Sequence, residues 1–126
     1  MSADFGYDIT DTVGAVAVTQ YDLVKTAGAL VVSAAVTDDC IGVVQDGAAI
    51  GALVRVRIFG VTRVVAADDS ITAFQDLSPA ADGQVDGHAG TTTHPIVGMA
   101  LEASAAQADE ILAFIGFHSF RAGYAA

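Results

Sequence analysis

The sequence predicts an all-β fold: a small β-barrel or sandwich-like domain with an internal pseudo-repeat and extended N- and C-terminal arms. Three observations predict it. The chain is rich in turn formers, with thirteen glycines, and thirteen of its fifteen acids are Asp; Asp competes with the helical backbone for hydrogen bonds and favours turns and caps. "LVRVRIF", Leu53–Phe59, alternates with period two, the mark of a half-buried strand. And one stretch of β character is echoed later in the chain at a fixed interval.

Taken in order, residues 1–12 carry acids and two aromatics without periodicity and read as an extended arm. In "VGAVAVTQYDLVKTAGALVVSA" short β-branched runs are separated by turn residues. The "TDD" at Thr37–Asp39 is a turn, "CIGVVQ" a strand and "DGAAIGA" a glycine-containing connection. Within "LVRVRIF", Val54, Val56 and Ile58 fall on one face and Arg55, Arg57 and Phe59 on the other. Gly60 marks a bulge or bend before "VTRVVA" continues. "ADDS" turns the chain, "ITAF" reads as a short strand, and "LSPAADGQV" and "DGHAGTTTHP" read as loops, the first with an Asp-Gly turn. Strands this short and this regularly spaced make a sandwich or barrel.

"VGMALEASAAQADEILAFIG", Val97–Gly116, has the residue types of a helix. At helical periodicity, however, Ile111 and Phe114 share a side with Ser104 and Gln107, so no apolar stripe forms. The internal echo decides the matter. "CIGVVQDGAAIGALVRVRIFG" and "IVGMALEASAAQADEILAFIG" align without a gap, and Gly98 follows Gly42 by 56 positions, as Gly116 follows Gly60. The first copy contains "VRVRIF", so the second is expected to be a hairpin too: strand Ile96–Leu101, connection Glu102–Asp109, strand Glu110–Phe114. Upstream, "DLVKTAGALV" echoes "DLSPAADGQV" less closely. The expected division is one domain over 1–126, with arms at 1–12 and 117–126 around a β core at 13–116.

The carrying stretches "VRVRIFGVTRV", "AADDSITAFQDLSPAADGQV" and "PIVGMALEASAAQADEILAFIG" resemble the head decoration, or capsid cement, proteins of tailed phages. The resemblance covers roughly Val16 to Gly116; "FHSFRAGYAA" and the aromatic N-terminal arm depart from it. It implies a small all-β protein that binds the outside of an assembled icosahedral shell, usually as a trimer, and stabilises it. The implied partners are the major capsid protein and further copies of this chain, and the implied location is the exterior of the virion capsid.

Composition agrees with that expectation. With a formal charge of −10, the surface repels phosphate backbones, which argues against nucleic-acid partners. The longest apolar stretch, Ala27–Val36, is broken by Ser33 and far too short to span a bilayer, and no basic-then-apolar leader follows Met1, so neither a membrane partner nor an export signal is expected. Hydrophobic residues still make up 53%, more than one small core absorbs, and contact with other subunits takes the excess. Phe5, Tyr7, Phe117, Phe120 and Tyr124, five of nine aromatics, lie in the terminal segments and are candidate subunit or capsid contacts; alternatively both ends close the domain's own core. Arg55, Arg57 and Arg63 gather in one hairpin, either balanced by local Asp across the sheet or offered to acids of a neighbour or the shell.

No reaction is signalled, and no catalytic residue, cofactor or metal site is expected. His88 and His94 share a loop without zinc spacing, His118 has no evident partner, and Cys40 stands alone. Asp38-Asp39 and Asp68-Asp69 sit in turns, where Asp caps backbone amides, and the calcium-loop pattern is missing. The leading expectation is a structural virion protein. The alternative is a β-structured binding module of a phage fibre or surface assembly that recognises glycan, which the lack of Trp disfavours. A small Asp/His hydrolase has no support in spacing.

Overall fold

A computed structural model of the protein describes residues 6–26, 30–35, 38–88, 90 and 95–116. Among the described residues the chain is all β. Its strands are β1 (Gly6–Thr12), β2 (Leu23–Thr26), β3 (Leu30–Val32), β4 (Gly42–Val44), β5 (Leu53–Val65), β6 (Asp76–Pro79), β7 (Val85–Gly87), β8 (Gly98–Ala100) and β9 (Glu110–Gly116). They join one antiparallel sheet in the order β3-β2-β4-β5-β9-β8-β6-β7, with β1 paired to β5 off this path. The sheet curls into a half-barrel, and Ser33 ties its two ends: its hydroxyl donates to the Ala80 carbonyl at 2.8 Å, and its own carbonyl accepts from the Gly83 amide at 3.1 Å.

The strand order reads the same from either end because the fold is a duplication. A first unit, Gly6–Ile58, and a second, Phe59–Gly116, repeat one set of hydrogen bonds. Tyr21 N donates to Val44 O, as Phe74 N does to Ala100 O; Val13 N donates to Ala52 O, as Ala66 N does to Asp109 O; Ile41 N donates to Val24 O, as Val97 N does to Leu77 O. β1 and the Phe59–Val65 half of β5 are counterparts, as are the Leu53–Ile58 half of β5 and β9, so one continuous strand closes the first unit and opens the second. Before each unit's second strand, "TQYD" (Thr19–Asp22) and "TAFQ" (Thr72–Gln75) form the same turn. The fourth side chain accepts from the threonine amide (2.9 Å to Asp22, 3.0 Å to Gln75), and the aromatic sits at positive φ, 72° at Tyr21 and 67° at Phe74.

Two apolar clusters fill the fold. One, with Leu23, Val43, Val64, Leu77, Ile111 and Ile115 among its members, draws on both units; the other, with Val13, Val18, Val24, Leu30, Val44 and Val56, lies within the first. The expected alternation of β5 holds for Val54 and Val56, which are buried, and Ile58 packs against the same cluster. Between the halves of β5 the register on β1 slips by one residue, Tyr7 opposing Phe59 and Asp8 opposing Arg57, so the bulge falls at Ile58; Gly60 follows at φ 121° without ending the strand. The expected hairpin in the second copy is present as β8 and β9, paired from Gly98–Ile115 to Ala100–Ala113.

Three local expectations are corrected. "ITAF" is a turn, because Thr72 is held by Gln75 and Phe74 adopts a left-handed backbone that no strand accommodates. "LSPAADGQV" is not all loop: Leu77, Ser78 and Pro79 lie in β6, Val85 begins β7, and only the 3-10 turn Ala81–Gly83 between them keeps the expected Asp-Gly reversal, with φ 60° at Asp82 and 73° at Gly83. The upstream echo is offset by one place, since Leu77 occupies the position of Val24 rather than of Leu23. Residues 6–12 of the expected N-terminal arm are extended and run paired along β5.

Candidate functional site

Four of the candidate contact residues, Phe5, Phe117, Phe120 and Tyr124, lie outside the described residues, as does the expected arm 117–126. Tyr7 is on β1 with 62% of its surface exposed, opposite Phe59, which is itself partly exposed and meets Phe114 edge-on with ring centroids 5.3 Å apart. The three arginines differ in burial, and two of them share Asp8. Arg57 is buried: its Nε donates to Asp8 Oδ1 at 2.8 Å, its Nη2 to Asp8 Oδ2 at 3.2 Å, and its Nη1 to the Val61 carbonyl at 2.9 Å. This two-pronged pair holds β1 onto β5 at the bulge and keeps the Asp8 carboxyl below its ordinary range, chiefly through the hydrogen bond from Arg57. Arg55 is exposed and reaches Asp46 at 3.3 Å and Asp8 at 3.5 Å. Arg63 makes one long contact, 3.5 Å, to the Glu110 carbonyl and stays half-exposed.

One acid of each expected turn pair caps backbone amides. Asp38 Oδ2 accepts from the amides of Ala34 and Ala35 and its Oδ1 pairs with Lys25 at 3.0 Å; Asp68 Oδ1 accepts from both the amide and the hydroxyl of Ser70. Asp22 is half-buried, which raises its carboxyl, although the Thr19 amide opposes the shift. His88 shares a 2.7 Å hydrogen bond with the buried Ser78 across the β6–β7 hairpin, while His94 and His118 lie outside the described residues. Among the described residues no three His, Cys, Asp or Glu gather as metal ligands. Cys40 is buried in the shared core, and burial pushes its thiol up to about 12. A thiol so placed has almost no thiolate at neutral pH. Native protein is expected to give no reaction with a disulfide reagent at pH 8, and one thiol per chain in denaturant; a titration in each buffer checks this.

The described surface holds large apolar side chains that sequence reading did not single out. Val16, Ile50 and Leu53 stand out at one end of the sheet, and Phe74 is exposed on its strained turn. Their signal in the sequence lay in comparing the two units position by position, which the gap-free echo obscured: it sets Leu53 against Asp109, whereas one extra residue in the second connection makes Glu110 its counterpart.

The sequence model of a family described as phage cement protein matches residues 5–115. Among solved structures, the chain is similar to one titled the crystal structure of head fiber gp8.5 N base in bacteriophage phi29. The TM-score is 0.65 at 20% identity, over 88% of this chain and 96% of that one, a likeness of fold. Curated protein sequences yield no match. A match over nearly the whole duplicated sheet settles the family: the chain belongs to the phage cement proteins, structural components of the virion that decorate and stabilise the exterior of the head.

Proposed function

We propose that the protein seats as a homotrimer on the outer face of the major capsid protein lattice and stabilises the shell by binding linkage rather than by catalysis. The family match over residues 5–115 carries this reading. A ligand that binds the assembled shell but not free subunits stabilises assembly by mass action. Three sites engaged together turn weak contacts into tight binding through effective concentration. The acidic charge of −10 suits the outside of a particle filled with nucleic acid, and the aromatic-rich chain ends, with Tyr7, Arg55 and Arg63, supply candidate contacts between copies and with the shell.

Native mass and co-sedimentation test it. The expected mass is three times that of the chain, and the protein is expected to pellet with empty heads in saturable fashion. A monomer that stays in the supernatant at high concentration overturns the proposal. The rival reading, a fibre module that recognises glycan, predicts selective signals on a glycan array and no pelleting with heads.

A further inference from the structure

The duplication supplies an internal control for which surface residues the fold needs. In the first unit the segments 13–18 and 48–53 lie side by side: Val18 and Ala48 exchange backbone hydrogen bonds, Val13 N donates to Ala52 O, Gly51 N donates to Val13 O, and Thr12 opposes Leu53. Val16, Ile50 and Leu53 thus gather at one end of the sheet, 55%, 63% and 70% exposed. In the second unit the pattern recurs with one partner changed: Ser104 N donates to Ile71 O as Ala48 N does to Val18 O, but Ile71 N donates to the Ser104 hydroxyl rather than to a carbonyl. Ile71 and Ser104 take the places of Val18 and Ala48, Ala66 N donates to Asp109 O, Ala108 N donates to Ala66 O, and Val65 opposes Glu110.

Through this correspondence Val16 matches Asp69, Ile50 matches Gln107 and Leu53 matches Glu110, all three exposed. One backbone frame therefore carries Asp, Gln and Glu at one end of the molecule and Val, Ile and Leu at the other. The frame does not require apolar side chains there, and water disfavours them. Charge divides the same way. No charged residue occurs in 12–21 or 47–54, whereas the second unit's end carries Asp68, Asp69, Asp109 and Glu110.

We infer that the Val16–Ile50–Leu53 end is the surface that seats on the shell, in an uncharged apolar depression, and that the Asp69–Glu110 end points outward into solvent. The inference rests on the decoration reading and adds the orientation to it. Burying the acidic end against protein would strip water from four carboxylates, while burying the apolar end desolvates no charge. The occupant is the shell rather than a second copy because tip-to-tip pairing of two copies makes a closed dimer, which the proposed trimer is not.

The test moves the second unit's residues onto the first: Val16→Asp, Ile50→Gln and Leu53→Glu together, with Ile50→Gln alone as a milder variant. Both are compared with wild type for melting temperature, native mass and co-sedimentation with empty heads. The expected result is unchanged melting and mass, with head affinity down about tenfold or more in the triple variant and by a smaller factor in Ile50→Gln. Should the triple variant misfold, Ile50→Gln alone decides. Full head binding by a folded variant overturns the inference and leaves the decoration reading standing. A variant that falls to a smaller mass makes this end a contact between copies and also overturns it. Wild-type protein that does not pellet overturns the decoration reading, and the inference with it.

Discussion

Gly98→Ala is expected to destabilise the fold by about 3 kcal/mol, the upper end of what overpacking a close-packed site costs. For a chain of this size that lowers the melting temperature by about 10 °C. A Cβ at Gly98 would run into the Phe114 carbonyl oxygen and stand 3.0 Å from the Ile115 Cα, both backbone atoms that cannot rotate away. The contact is where β8 crosses onto β9, and the repeat reproduces it: a Cβ at Gly42 would sit 2.6 Å from the Arg57 carbonyl oxygen as β4 crosses β5. Gly51→Ala is the contrasting case. Gly51 has φ 82° with nothing near its missing Cβ, and its counterpart Ala108 already holds φ 66° in the same turn. That change is expected to cost about 1 kcal/mol, the usual penalty of the left-handed conformation for an L-residue. Thermal unfolding followed by circular dichroism measures both; equal losses at Gly98 and Gly51 would contradict the packing argument.

Asp8→Ala is expected to cost about 3 kcal/mol, because it leaves the buried Arg57 guanidinium without its carboxylate. The second unit offers the remedy. Val61 and Phe114 oppose each other where Asp8 and Arg57 do in the first, an apolar pair in place of an ionic one. The double variant Asp8→Val, Arg57→Phe is therefore expected to lie within about 1 kcal/mol of wild type, since an apolar pair of similar volume often replaces a buried ion pair without loss. The pH dependence distinguishes them further. The Asp8 carboxyl titrates below its unfolded value of 3.8, so the stability it contributes is complete above that value and is lost as pH falls through the lower, folded one. Wild type should lose stability on acidification below pH 3.8 by a step that the double variant lacks. Chemical denaturation at neutral and acid pH reads both effects, and a double variant as unstable as Asp8→Ala would refute the apolar substitution.

Much of this fold could be read in the chain because its signals are local or repeated. "VRVRIF" gave a strand by alternation, and the spacing of Gly42–Gly60 against Gly98–Gly116 carried that assignment to an Ala-rich stretch whose composition favours helix. The reason is physical: Gly42 and Gly98 lie where paired strands approach too closely for a side chain, and Gly60 takes a positive φ beside the bulge. What could not be read depends on distant partners. The strand at Leu77–Pro79 looked like loop because Pro79 and the following Asp-Gly turn dominate its local pattern, yet β7 and β8 flank it. The "TAFQ" turn resembles a strand until Gln75 is seen to hold Thr72 as Asp22 holds Thr19. Arg57 pairs with Asp8 across the sheet, one of the two arrangements the sequence left open, but its burial depends on a partner far away in sequence, and alternation alone does not separate it from the exposed Arg55. Of the contact residues proposed from the sequence, Tyr7, Arg55 and Arg63 are accessible on the described surface.

The pairing of β5 with both β1 and β9 has a topological consequence. Gly60 opposes Gly6 on one side and Ile115 on the other, so the first and last described residues flank the same point of one central strand. Two strands that flank a third stand about 10 Å apart. A linker of a few residues joining Gly116 to Gly6 is therefore expected to leave every rung of the ladder in place, so the strand order tolerates circular permutation at this point.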